Sequence, residues 1–304
     1  MTDETKSPRR TARGLKPRIS LEGVAREASV STATVSRVLN NPAYPVSADA
    51  RERVLKAADT LGYLRNGPAR ALATGHSSLI GALIGNVIDP YFGEIVRGIE
   101  DYGQRRGHLT MVCNADGSLA SEIAYMSMLR EQRARGVIFA SGAFEDAPEV
   151  DELRSLVTEM RSEGIFIASL AERDIPADTF ITVDNYAVMF ELTDYLISIG
   201  HKRIALLAGN PTFSTSNLRT AGFQGAMRRA GIDDSLLYPG DLTYESGSRI
   251  SFRMLRQLPD AILAAHDASD LGAMVSFREA VCEAPGRASV AGGTHAASRA
   301  RDAC

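Results

Sequence analysis

The chain has 304 residues, 44% hydrophobic and 23% charged, with a formal net charge of -3, a balance that fits a globular protein of two or three domains and excludes one disordered beyond its ends. No apolar run reaches the length of a bilayer span and the polar, basic N-terminus has no apolar signal core, so no membrane partner is expected and the cytoplasm is the expected location. The three cysteines, Cys113, Cys282 and Cys304, and the five histidines show no disulfide or metal-ligand spacing, and no nucleophile elbow or phosphate-binding glycine loop is present, so no catalytic residue, metal or cofactor is assigned.

Residues 1–18 hold Lys6, Arg9, Arg10, Arg13, Lys16 and Arg18 among Pro, Thr and Gly without periodicity, and read as a disordered basic arm. Up to residue 76 there are 13 Lys and Arg against 7 Asp and Glu, and beyond it 21 against 30. A basic head on an acidic body favours phosphate at one end only.

Residues 19–64 read as a helical domain. Leu21, Val24, Ala25 and Ala28 have helical spacing, Ser29-Val30-Ser31 breaks it, and Val35, Val38 and Leu39 resume it on a second short helix. This is a helix-turn-helix pattern, with residues 47–62 as the third helix that completes the core. The second helix of such a motif enters the major groove N-terminus first. Ser31 suits its N-cap, and Thr32, Ala33 and Arg37 suit base edges: Arg37 can pair with guanine O6 and N7, and the Ala33 methyl can meet a thymine methyl. The free amides there, with Thr34, Ser36 and Asn40, can hold phosphates. Periodicity alone also allows a small helical protein-binding domain with Arg37 as a solvated charge.

Residues 65–76 read as a linker with a short helix, capped by Asn66 and ended by Gly75, that folds only when docked. From Ser78 the pattern alternates strands and helices. Leu79–Leu83, Leu109–Cys113, Val137–Ala140 and Ile165–Leu170 read as one series of buried strands, and Ile181–Val183, Ile204–Ala208 and Ala261–Ala265 as a second, with helices near 187–199, 215–230 and 245–257. Repeated βα units imply two parallel-sheet subdomains with a cleft between them, and ligands at the strand carboxyl ends. Those ends carry Asp89-Pro90-Tyr91-Phe92, Asp184-Asn185, the loop towards Arg219, and His266-Asp267. Acids, an arginine and an aromatic ring suit a hydroxyl-rich small molecule such as a sugar, although each Asp or Asn alone also suits a helix N-cap.

The run Val30-Ser31-x-x-Thr34-Val35-Ser36-Arg37-Val38-Leu39-Asn40, then Val46-Ser47, Arg51-x-Arg53-Val54, Leu61-Gly62-Tyr63 and Asn66-x-x-Ala69-Arg70-x-Leu72, resembles the LacI/GalR family of bacterial transcription regulators. Leu192-x-x-x-Leu196-x-x-x-Gly200-His201-x-Arg203-Ile204-Ala205, Arg219-x-x-Gly222-Phe223 and Pro259-Asp260-Ala261-Ile262-x-Ala264-x-x-Asp267 resemble the same family's effector domain. The resemblance implies an all-α helix-turn-helix head plus an α/β periplasmic-binding-protein-like effector domain at 77–278. It implies a hinge whose Asn66, Arg70 and Leu72 meet DNA, with Leu72 wedged into the minor groove. It also implies that Arg219 and Asp267 grip the effector while Tyr91 and Asp184 line its cleft. The chain departs from the family in having Gly23 for Asp, Ser29 for the turn glycine and His266 for Asn. If position 29 takes a positive φ, serine costs more there than glycine.

After residue 278 the resemblance is expected to fail. Residues 279–304 hold eight Ala, three Gly and no Leu, Ile, Phe, Tyr or Met, and read as an atypical, disordered tail. A shifted reading frame is the hypothesis for it, and resequencing the coding DNA is its test: no family-like end in another frame sinks it. The function implied is a homodimeric regulator, a repressor by the commoner family outcome, on a pseudo-palindromic operator under control of a carbohydrate-like effector. The alternatives are a truncated remnant that keeps DNA binding without effector response and, third, a solute-binding protein.

Overall fold

The computed structural model describes residues 19–40, 44–64, 71, 75–145, 147–254, 259–281 and 289–292, with the backbone alone for 277–281 and 289–292. The chain divides into two units, residues 1–75 and 76–304.

The first unit is built of α1 (Leu21–Glu27), α2 (Thr32–Asn40) and α3 (Ala48–Leu61). Ser20 caps α1, its Oγ accepting from the Gly23 amide at 3.2 Å, and Ser47 caps α3 through the Ala50 amide at 3.4 Å. Gly62, at φ 62°, ends α3, and the Gly62 and Tyr63 amides return to the Asp59 and Ala58 carbonyls at 2.9 and 2.8 Å. Val24, Val35 and Val54, one from each helix, are fully buried at the centre of the core. Helices this short depend on that shared apolar face for their stability. Arg53 fastens the group: its Nη1 donates to the Ala28 carbonyl at 2.9 Å, satisfying an orphan acceptor at the end of α1.

The second unit holds two parallel sheets. The first, in order β2-β1-β3-β4-β5, comprises β1 (Leu79–Ile84), β2 (Leu109–Asn114), β3 (Gly136–Phe139), β4 (Phe166–Ser169) and β5 (Thr179–Phe180), with α4 (Pro90–Arg105), α5 (Leu119–Glu131) and α6 (Glu149–Ser162) between strands. The second, in order β7-β6-β8-β9, comprises β6 (Ile204–Ala208), β7 (Leu237–Pro239), β8 (Ala261–Ala264) and β9 (Ser289–Gly292), with α7 (Asn185–Ser198), α8 (Ser214–Arg229), α9 (Tyr244–Met254) and α10 (Asp267–Val281). The register sets Ala82 beside Val112 on one side and Ile138 on the other. Every residue of β6 and β8 is buried, as expected for strands covered on both faces. One core joins Leu83, Val137, Phe139 and Ile167 to Met126, Val157 and Met160. Two others lie on opposite faces of the second sheet, around Leu206 and Phe223 and around Leu207 and Ile250.

Three expectations are corrected. The strand placed at Ile181–Val183 lies at Thr179–Phe180 instead, where Ala168 and Ser169 pair with it, and the Ile181 amide closes the ladder on the Ser169 carbonyl at 2.9 Å. Strand β7 was not anticipated: it has three residues and ends in Pro239, tolerable only because it is an edge strand. The tail read as disordered from residue 279 also contains a strand, for Ser289–Gly292 forms β9, in parallel register with Ala261–Ala264. A ladder needs backbone amides and carbonyls, which small residues supply as well as large ones. Residues 293–304 lie outside the described residues.

The two subdomains meet at two loops. The Phe144 and Phe213 rings lie 4.8 Å apart, and the Glu145 and Ser214 amides donate across the junction to the Thr212 and Ala143 carbonyls, each at 2.9 Å. A buried ion pair holds the first loop from beneath. Arg173 donates to Glu122 Oε2 at 2.8 Å and to the Ser141 and Gly142 carbonyls at 3.0 and 2.9 Å, with its guanidinium 4.5 Å from the Phe139 ring centre.

Candidate DNA-reading face and ligand cleft

On the first unit the turn between α1 and α2 places Ser29 at φ 50°, a conformation in which the missing glycine would carry less strain. Ser31 caps α2, its Oγ accepting from the Thr34 amide at 3.1 Å and lying 2.9 Å from Thr34 Oγ1. While Val35, Val38 and Leu39 point into the core, Thr32, Ala33, Arg37 and Asn40 are exposed, and Thr34 and Ser36 are half-buried. Asn40 Nδ2 donates to Ser36 Oγ at 3.2 Å. The arrangement leaves Thr32, Ala33 and Arg37 facing solvent, with Arg37 one helical turn beyond Ala33, as the i, i+4 period requires. Asn66, Arg70 and Leu72 of the hinge lie outside the described residues.

In the second unit the strand ends make contacts that spacing alone does not reveal. Asp89 caps α4, its Oδ1 accepting from the Tyr91 amide at 3.0 Å, and its Oδ2 lies 3.0 Å from His266 Nε2, which comes from the other subdomain. His266 Nδ1 accepts from the Ala268 amide at 3.3 Å, which leaves the ring proton on Nε2 to be donated to Asp89. Burial raises the Asp89 pKa, but the hydrogen bond and electrostatic pull of His266 and the Tyr91 amide together hold it below the ordinary value.

Arg219, in the second turn of α8, donates from Nε to Asn185 Oδ1 at 2.8 Å and from Nη1 to the Ala265 carbonyl. Burial lowers its pKa, opposed by the neighbouring Tyr91 hydroxyl and Asp267 carboxylate, which favour the guanidinium. Asp267, half-buried, opens α10 beside it. The Asp184 carboxylate is taken up as the cap of α7, accepting from the Ala187 amide at 2.9 Å, so the contact with Arg219 comes from its neighbour Asn185. Tyr91 is partly exposed, its ring edge-on to Phe92 at 5.3 Å. Sequence reasoning missed Asp270, which is 5% exposed and whose Oδ1 has no hydrogen-bond partner. Burial foremost, then repulsion from Asp267, raises its pKa to about 6. Its i+3 spacing from Asp267 in the first turn of a helix was the one available signal.

Among the described residues no group of three or more His, Cys, Asp or Glu is placed to hold a metal ion, and no helix is long and apolar enough to cross a membrane. Residues 20–66 match the model described as bacterial regulatory proteins, lacI family, and residues 77–292 the model for periplasmic binding proteins and sugar binding domain of LacI family. The chain belongs to the LacI family. It is 30% identical over 274 residues to the HTH-type transcriptional regulator DegA of Bacillus subtilis (strain 168), covering 88% of this chain and 79% of DegA. It is also 30% identical over 277 residues to the HTH-type transcriptional repressor CytR of Escherichia coli (strain K12), covering 90% and 79%. Among solved structures, the lac repressor dimer bound to operator and the anti-inducer ONPF superposes with a TM-score of 0.74 at 27% identity, covering 90% of this chain and 82% of that one. The complex of the transcriptional regulator CelR with cellobiose superposes with a TM-score of 0.60, at the same identity and coverage. This LacI-family chain is therefore a DNA-binding regulator, homologous to sugar-responsive repressors.

Proposed function

We propose that this LacI-family protein acts in the cytoplasm as a homodimeric repressor, binding a pseudo-palindromic operator with an affinity set by a small carbohydrate-like effector. One observation carries the reading: a single chain presents Thr32, Ala33 and Arg37 exposed on α2 and a cleft whose two walls meet at Asp89 and His266. On the head, Thr32, Ala33 and Arg37 face base edges, and the α2 amides with Ser31, Thr34, Ser36 and Asn40 meet phosphates. Asn66, Arg70 and Leu72 of the hinge add minor-groove contacts.

In the cleft, Arg219 has Nε and Nη1 engaged, which leaves Nη2 for a ligand oxygen. Asp267 accepts hydrogen bonds from ligand hydroxyls, the Tyr91 ring stacks on an apolar sugar face, and Asp184 shapes the rim. A ligand that binds one arrangement of the two subdomains better than the other shifts the population of DNA-competent dimers by that difference in affinity. The repressor bound to operator and the regulator bound to cellobiose support the two halves of this reading.

The test is fluorescence anisotropy of the full chain on duplexes from upstream of its own and adjacent genes, over a salt series, with mono- and disaccharides added one at a time. Sequence-selective binding altered by one of them is the expected result. Binding that is weak, sequence-blind and steeply salt-dependent would overturn it.

A further inference from the structure

Arg37 is exposed, and its one recorded partner among the described residues is an aromatic ring: its guanidinium carbon lies 4.8 Å from the centre of the Tyr44 ring. Tyr44 belongs to the loop between α2 and α3, and that loop holds it firmly. The Tyr44 carbonyl accepts from Arg51 Nη2, on α3, at 2.9 Å. Pro45 restricts Tyr44 to extended backbone, Val46 packs against the core, and Ser47 caps α3. The backbone that carries the ring is therefore anchored beside the end of the reading helix.

A guanidinium attracted to an aromatic ring through its face keeps its five N–H donors free in their own plane, whereas a carboxylate partner would consume two of them. Lying flat on the ring, Arg37 would lose rotational freedom before it meets DNA without losing a donor. We propose that Tyr44 is a positioning residue that holds the Arg37 guanidinium aimed for bidentate recognition of a guanine, so that this platform sets the base preference of the head. The inference rests on the reading of Arg37 as a base reader.

The operator is unidentified, so the probe is a random 30-base-pair duplex pool from which the full-length wild-type protein selects its consensus. That consensus, a guanine-to-adenine variant of it and a shuffled duplex are then titrated with wild type, Arg37→Ala, Tyr44→Ala and Tyr44→Phe, each checked for an unchanged melting temperature. The expected result is that Arg37→Ala abolishes the guanine preference. Tyr44→Ala is expected to weaken consensus binding by about 3- to 10-fold, narrow the guanine-to-adenine ratio and leave shuffled-duplex binding unchanged, while Tyr44→Phe, which keeps the ring, restores wild-type values. Arg37→Ala without effect, or a pool that yields no consensus, overturns the base-reader reading and this inference with it. Tyr44→Ala with wild-type affinity and guanine ratio, while Arg37→Ala loses both, overturns the positioning role alone. Equal loss on consensus and shuffled duplexes, or a Tyr44→Phe that fails like Tyr44→Ala, identifies the hydroxyl as a phosphate contact and overturns it as well.

Discussion

Arg173 and Glu122 form an ion pair with side chains only 3% and 1% exposed, held in place by the hydroxyl and carbonyl of Ser141. A pair this dry contributes little net stability against an apolar replacement, but removing one partner strands a charge. Arg173→Met is therefore expected to cost about 3–5 kcal/mol in urea unfolding, with much of the loss recovered on adding Glu122→Leu. Asp270 bears the opposite strain. Its pKa is raised to about 6, so the folded protein binds its proton more tightly than the unfolded chain does. The associated stability is fully present below the unfolded carboxylate value near pH 4 and is lost as pH rises through about 6. Asp270→Asn should raise stability at pH 7.5 by roughly 2–3 kcal/mol and make little difference at pH 4. Melting temperatures of both proteins across that range check this, and a pH-independent gap between them would refute it.

At the scale of elements, two helix pairs are set by glycines that allow backbone contact. A Cβ at Gly222 of α8 would lie 2.3 Å from the Tyr186 carbonyl oxygen of α7. At Gly247 of α9 it would lie 2.0 Å from the Ser269 carbonyl oxygen of α10, and at Gly272 of α10 it would lie 2.0 Å from the Tyr244 carbonyl oxygen of α9. None of these three backbone oxygens is a flexible side chain that can swing aside. Gly247→Ala should thus destabilise the second unit by about 1–3 kcal/mol, despite the better helix propensity of alanine. A lowered denaturant midpoint at unchanged m-value is the expected reading. An unchanged midpoint would mean that α9 and α10 separate at little cost.

For the molecule as a whole, the Asp89–His266 contact links the two subdomains at the mouth of the cleft. Its Asp89 member has a lowered pKa, so its contribution is fully present above the unfolded carboxylate value and is lost only as pH falls below that value towards the lowered one. Asp89→Asn keeps an oxygen for the Tyr91 amide but can turn its NH2 towards Nε2–H, donor against donor, because His266 Nδ1 is committed to Ala268. The variant should open the cleft more often, seen as faster amide exchange at Ala268 and Tyr91 with little change in global stability. Exchange that matches wild type at both amides would show that the loops around Phe144 and Phe213 alone hold the subdomains together.

Much of this architecture was legible in the amino-acid order, because helices and buried strands announce themselves by the spacing of apolar side chains. Val24, Val35 and Val38 marked the head, and the strands read at Ile204–Ala208 and Ala261–Ala265 lie at Ile204–Ala208 and Ala261–Ala264. One cap was legible too, since Ser31 acts on the Thr34 amide three residues away, and the caps at Ser20 and Ser47, equally local, were open to the same reading but not drawn from it. Contacts between residues distant in sequence were not. The sequence alone determined that acids, an arginine and a histidine would gather at the strand ends, and it left the partners open. Only the tertiary structure decided that Asn185 and not Asp184 meets Arg219, that Asp89 reaches His266 across the cleft, that Tyr44 lies on Arg37, and that Ser289–Gly292 completes a sheet. Periodicity records which face of an element is buried, whereas a pairing depends on how whole elements pack, to which every residue between the partners contributes.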